Sequence, residues 1–156
     1  MIFSPPGAKE DVDIDKFSIS LNNIKLERIG TGCQEKSFKF VGIHLDDKLD
    51  WSYHLQHIKS KMSSGNYHLA RLKNFVPYHV RRTIYLSMIK SHLEYGITIW
   101  GSALKKFIDP LIIVQKYAIR NLMKTDSRAH AAPLFREAGL LTLEDIYTLR
   151  TCQLVQ

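Results

Sequence analysis

The chain has 156 residues, 45% of them apolar and 24% charged, with 8 Gly, 5 Pro and a net charge of +7. This is the length of one domain, or of one domain with a smaller attachment, and it can bury a core without metal or disulfide; collagen-like and low-complexity architectures are excluded. A membrane-spanning helix needs about 20 apolar residues, and the longest stretch without Asp, Glu, Lys or Arg runs only from Tyr95 to Leu104.

Residues 1–13, with Pro5-Pro6-Gly7, read as a loose lead-in, and Ser4 to Lys9 interrupt any signal-peptide core. Phe17 to Leu21 alternates apolar and polar, Asn22-Asn23 is a turn signal, and Ile24 to Ile29 alternates in part, which together predict a β-hairpin. Gly30-Thr31-Gly32 breaks it. Phe38 to Leu45 reads as one further strand, with Phe38, Phe40, Gly42 and His44 on one face and Val41, Ile43 and Leu45 on the other. Asp46-Asp47-Lys48 is then a turn.

From Trp51 the period changes. Leu55, Ile58, Met62, Gly65, Leu69, Leu72 and Val76 form one stripe of a long helix, with Asp50 as its N-cap and Pro77 as its end. Val80, Ile84 and Met88 mark a second helix to about Leu93, stopped by Gly96. Ile97 to Trp100 reads as an extended or turn segment. Asp109-Pro110 looks like the start of a third helix carrying Leu111, Val114, Ala118 and Leu122. Pro133 to Ala138 is a short fourth, closed by Gly139. Thr142 caps a fifth with Asp145 in its first turn, and Leu154-Val155-Gln156 looks truncated. The expected fold class is α+β, mostly α: a small antiparallel β-element at 14–50, a helical bundle at 51–126 and C-terminal helices at 127–156.

The charge is unevenly spread. Residues 1–50 carry a net −2 and residues 51–156 a net +9. Trp51 to Leu93 contains Lys59, Lys61, Arg71, Lys73, Arg81, Arg82 and Lys90, and no Asp or Glu. A segment with cations and no anion has polyanions as natural partners, nucleic acid first. Tyr53, Tyr67, Tyr78, Tyr85 and Tyr95 lie among those cations and could stack on bases or close the edge of the core. Asp46-Asp47 resembles the paired carboxylates of two-metal sites, but no third carboxylate is placed to complete one, and a polar turn explains the pair. His54 and His57 lack the further ligands that a metal needs. Cys33 and Cys152 are too few for a disulfide framework or a metal motif, so free thiols in a reducing compartment are expected. No catalytic and no metal site is assigned.

The order of these features resembles non-LTR (LINE-type, insect jockey-like) retrotransposon reverse transcriptases. Phe40, Gly42, Ile43, Leu45, Asp46, Leu49 and Trp51 match the family's strand–turn segment, and a basic helix with His54, His57, Lys59 and Lys61 follows it. Leu93-Glu94-Tyr95-Gly96, Trp100-Gly101, then Leu111, Gln115, Ala118 and Arg120, match later elements in the same order. Ala132 to Glu137 and Leu143 to Tyr147 are similar to the segment that follows the thumb. The resemblance implies the tail of the palm at 14–50 and the helical thumb at 51–126. It also implies that the family's catalytic aspartates, its Mg²⁺, the fingers and the rest of the palm belong to a part upstream, so no cofactor is expected in this chain.

On that resemblance the partners are an RNA/DNA template–primer duplex and the upstream fingers and palm, inside the cell, in nucleus or cytoplasm, with no membrane and no disulfide. The residues assigned to the duplex backbone are Lys59, Lys61, Arg71, Lys73, Arg81, Arg82 and Lys90, with His54 and His57 as lesser candidates and Gly42 as a point of close approach. The alternative is a helical protein-interaction module, or a relic of a mobile element, with apolar surface at Phe38, Phe40 and Val41 left open.

Overall fold

The computed structural model describes residues 20–22, 24–25 and 37–155. These residues divide into two compact units, one ending at His54 and the other beginning at Leu55. The class is α+β and mostly α, with short antiparallel β-elements followed by helices.

In the first unit, β1 (Ser20–Leu21) pairs with β2 (Ile24–Lys25), Ser20 opposite Lys25 and Leu21 opposite Ile24. Asn22 takes the left-handed conformation, φ 50°, that an Asn turn permits. The rest of the expected hairpin, the Gly30–Gly32 break and the lead-in lie outside the described residues. The strand expected from Phe38 to Leu45 is a hairpin instead: β3 (Ser37–Phe40) and β4 (Ile43–Asp46) pair antiparallel. Val41 and Gly42 join them with φ of 46° and 80°, both positive, as a twist-matched two-residue turn requires. The turn resets the alternation. Phe38 faces Leu45 and Phe40 faces Ile43, so these four share one face, while Lys39–His44 and Ser37–Asp46 form the other. Ile43 is buried, whereas Phe38, Phe40 and Val41 are exposed.

The loop after β4 ties itself together. Asp46 is buried, its Oδ1 accepts from the Asp50 N–H at 3.0 Å, and its backbone carbonyl accepts from the Leu49 N–H. Burial raises the Asp46 pKa, against the lowering effect of the Asp50 N–H. The Asp50 carboxylate accepts from the Ser52 N–H at 2.9 Å, and α1 (Ser52–Leu72) starts there.

Over 21 residues α1 is about 31 Å long. Its inner face buries Leu55, Ile58, Met62 and Leu69. After the turn at Asn74–Pro77, α2 (Tyr78–Tyr85) passes through a π-helical turn, Leu86–Lys90, into α3 (Ser91–Glu94). α1 meets this second helix at Gly65, where a Cβ would lie 2.8 Å from Met88 Cβ and 3.1 Å from the Met88 carbonyl. Gly96, with φ 63°, turns the chain as expected. The segment Ile97–Trp100, expected to be extended, is a helical turn, α4, because Ile97 and Trp100 lie three apart and both are buried. The Trp100 indole N–H donates to the Tyr95 carbonyl.

α5 (Lys105–Met123) starts before Asp109-Pro110 and holds Pro110 in its second turn. Burial of Ile108 and Leu111 carries the helix past the proline. α6 (Ala131–Ala138) ends at Gly139, φ 61°, and packs on α5. α7 (Leu143–Val155) packs on α3 and α4. Its start is a reciprocal cap: Thr142 Oγ1 accepts from the Asp145 N–H, and the Asp145 carboxylate accepts from the Thr142 N–H and hydroxyl. Residues 127–155 therefore belong to the same compact unit as the helices before them.

Two glycines mark the tightest helix contacts. At Gly101, a Cβ would run into the Tyr147 ring of α7 and the Ile97 carbonyl. Gly65→Ala gains about 1 kcal/mol of helix propensity but forces α1 off the Met88 backbone, at a cost of about 1–3 kcal/mol. A lowered melting temperature by circular dichroism is expected for Gly65→Ala and a larger drop for Gly101→Ala. A rise for either would show that the helices close without the glycine.

Candidate nucleic-acid interface

The acid-free run of sequence becomes α1, the turn and most of the second helix. His57, Lys61, Ser64, His68 and Arg71 follow one another at four- and three-residue intervals along α1, opposite its buried face, and all are exposed. Lys59 is exposed as well. The guanidinium of Arg71 lies 5.9 Å from the Tyr67 ring centre, and Tyr67 is exposed. One side of α1 thus offers three cations, two imidazoles, a hydroxyl and a tyrosine.

The other cations of the run are turned to internal work. Arg81 is only 7% exposed. Its Nε donates to the Leu122 carbonyl at 2.9 Å, and its Nη1 donates to the carbonyls of Lys73 and Val76. It is removed from the phosphate contacts, because its donors are spent on the ends of two helices. Lys73 is half-buried and donates to Asn121 Oδ1, whose amide donates to Asn66 Oδ1, a polar ladder between α1 and α5. Arg82 is half-buried and donates to the Ala138 carbonyl and the Tyr78 hydroxyl. Lys90 pairs with Glu94 at 2.8 Å, and Arg150 approaches the same carboxylate at 3.7 Å.

His54 is also corrected. It is 2% exposed, its Nδ1 accepts from the His44 N–H at 3.4 Å, and the two imidazoles lie 6.3 Å apart. It belongs to the interior of the first unit. Gly42 is exposed in the β3–β4 turn of that unit. Tyr85 is buried, and burial pushes its phenol up to about 12 despite a hydrogen bond with Gln115. Tyr53, Tyr67, Tyr78 and Tyr95 are exposed.

His92 of α3 is half-buried close to Lys61. Burial first, and the Lys61 ammonium second, hold its pKa below the usual imidazole range. The segment read from Trp51 to Leu93 misses further exposed cations, Lys105, Lys106, Lys116 and Lys124, because acids are mixed among them in the sequence. It also misses Phe75, in the turn after α1, which is 84% exposed. Among the described residues no three His, Cys, Asp or Glu side chains come together as metal ligands, so Asp46 and Asp47 do not supply a two-metal site, and no step through Mg²⁺ is derived.

Two proteins of Drosophila melanogaster are similar to this chain. It is 27% identical over 116 residues to a probable RNA-directed DNA polymerase from transposon BS, and that match takes in 72% of this chain. It is 24% identical over 115 residues, again 72% of the chain, to a probable RNA-directed DNA polymerase from transposon X-element. Each match spans 13% of the relative's length. The chain is therefore a distant relative of a short stretch of retrotransposon RNA-directed DNA polymerases. No family model and no solved structure matches it.

The division of the cations is testable by stability. Arg81→Met leaves three carbonyls without their donor and should cost about 2–4 kcal/mol in denaturant unfolding, whereas Arg71→Met should stay within about 0.5 kcal/mol. Equal effects would undo the distinction. A second test follows His92. Its folded-state pKa is depressed, so the unfolded chain binds the proton more readily, and stability is lost as pH falls below about 6.5. Lys61→Met should move the His92 titration upward in NMR, partway because burial remains. An unmoved titration would separate the two residues electrostatically.

Proposed function

We propose that the helical unit is the thumb of a retrotransposon RNA-directed DNA polymerase, the part that holds the RNA/DNA template–primer duplex by its phosphates. The observation that carries this reading is the exposed stripe of α1: Lys61 and Arg71, with Lys59 beside them, along a helix without a single carboxylate. The distant likeness to two such polymerases supports the choice of nucleic acid over other polyanions. Such a surface gives positioning without sequence readout, since lysine and arginine on phosphate carry no base information. No catalytic residue is assigned. The fingers and palm of the same enzyme, with their Mg²⁺ carboxylates, are proposed as the natural partners of this unit.

A second reading is favoured by the first unit. Phe38, Phe40 and Val41 are all exposed on one small hairpin, an apolar surface suited to a protein partner. Such binding would be insensitive to salt.

The deciding experiment is a titration of an RNA–DNA hybrid across ionic strength. Each neutralised phosphate contributes a slope of about −0.9 in log K against log salt, so three exposed cations should give about −3. Alanine at Lys59, Lys61 or Arg71 should each reduce the slope by about 1, with the fold intact. A folded chain that binds no hybrid would leave the protein-partner reading in first place.

A further inference from the structure

The basic stripe of α1 ends beside a residue of another kind. Four positions after Arg71 stands Phe75, 84% exposed, as open to solvent as Val155 near the end of the last helix. An aromatic ring left in water forgoes its share of burial, and a single exposed apolar residue is ordinary on any surface. Two further observations set this one apart. The first is rigidity. The Phe75 N–H donates to the Leu72 carbonyl at 2.9 Å and the Val76 N–H donates to the same oxygen at 3.1 Å. On either side of Phe75, the carbonyls of Lys73 and Val76 are held by the buried Arg81 guanidinium. The ring therefore stands on backbone fixed from both sides, so ordering it against a ligand costs little further conformational entropy.

The second observation is charge. Arg71 precedes the ring and is exposed, Lys73 is two residues before it, and no carboxylate occurs between Trp51 and Leu93. The neighbouring Tyr78 and Leu72 are each about two-fifths exposed and widen the apolar platform. A flat apolar ring flanked by unneutralised cations complements a ligand with a flat apolar face flanked by phosphates. A nucleobase is that ligand, and stacking on it tolerates any sequence because every base has a π-face.

We propose that Phe75 is a base-stacking residue. The α1 cations hold the phosphates of one strand, and Phe75 stacks on an unpaired base where that strand leaves the duplex. This rests on the duplex-holding reading and adds to it a preference for a duplex–single-strand junction over a blunt duplex.

The experiment compares an RNA–DNA hybrid carrying a short single-stranded overhang with the same hybrid made blunt, using the full chain. A fluorescent purine analogue sits in the first unpaired position. Wild type should bind the overhang hybrid about 5- to 150-fold tighter than the blunt one, the range for one stacked base, and quench the analogue. Phe75→Ala should abolish both the preference and the quenching and leave the salt slope unchanged. Phe75→Trp should keep all three. Because the ring is exposed, both variants should melt with wild type.

Equal binding of the overhang hybrid by wild type and Phe75→Ala overturns the proposal while leaving duplex holding intact. A loss of equal size on blunt and overhang hybrids overturns it too, because the ring would then touch the duplex itself. Failure of wild type to bind either hybrid in a salt-dependent way refutes the duplex-holding reading, and the stacking role with it. That outcome is seen in wild type alone and is not confused with the others.

Discussion

The guanidinium of Arg81 lies where two helices run out of hydrogen-bond partners. The carbonyls of Lys73 and Val76 follow the end of α1, and the carbonyl of Leu122 is in the last turn of α5. Helix C-termini leave such oxygens unsatisfied and carry the negative end of the helix dipole. A cation with several donors in a fixed fork answers both needs at once. Its burial is compensated by backbone dipoles instead of a carboxylate, so the helices meet here without an acidic residue. The absence of Asp and Glu across this part of the sequence is therefore compatible with a buried charge, and the remaining cations are left without neutralising neighbours on the surface.

Gln115 plays the matching part at the other end of the unit. Its amide donates to the Leu141 carbonyl and the Tyr85 hydroxyl, and its carbonyl oxygen accepts from the Leu143 N–H. One buried side chain joins the second helix, α5 and the connection from α6 to α7. A buried polar group of this kind is costly unless fully paired, and here the pairing fixes which loop may pack over it. The close passages at Gly65 and Gly101 then set how near the helices come. Polar pins at the helix ends and absent side chains at the crossings together hold the α1 stripe at a defined face.

How much of this the sequence disclosed depends on whether the signal is local. The 3.6-residue period, Gly96, Gly139 and the Thr142–Asp145 cap are local, and the long helices and their ends follow from them. The β3–β4 hairpin was hidden because FKFVGIHL alternates as one strand would, and only a two-residue turn at Val41-Gly42 reverses which residues share a face. Asp109-Pro110 carries a true start signal that packing of Ile108 overrides. The site was legible as a charge distribution and not as a surface. Seven cations look equal in the sequence, yet Arg81 serves the core, Lys73 and Arg82 serve helix–helix contacts, and Lys90 is neutralised by Glu94. No local rule separates these from Lys59, Lys61 and Arg71, because their partners lie on helices far along the chain.

The same division bears on what the surface can recognise. Long-range attraction depends on net charge, and buried or paired cations contribute to it along with exposed ones. Contact depends on donors that are free to reach phosphate, and internal hydrogen bonds withdraw those of Arg81, Lys73 and Arg82. The unit therefore combines a field larger than its contact set. Such a surface captures a polyanion readily and holds it through few phosphates, so affinity stays modest and readily reversed. For a unit that must let a duplex slide by one step after each addition, weak backbone contacts along one helix are a physically better grip than the full set of cations would be.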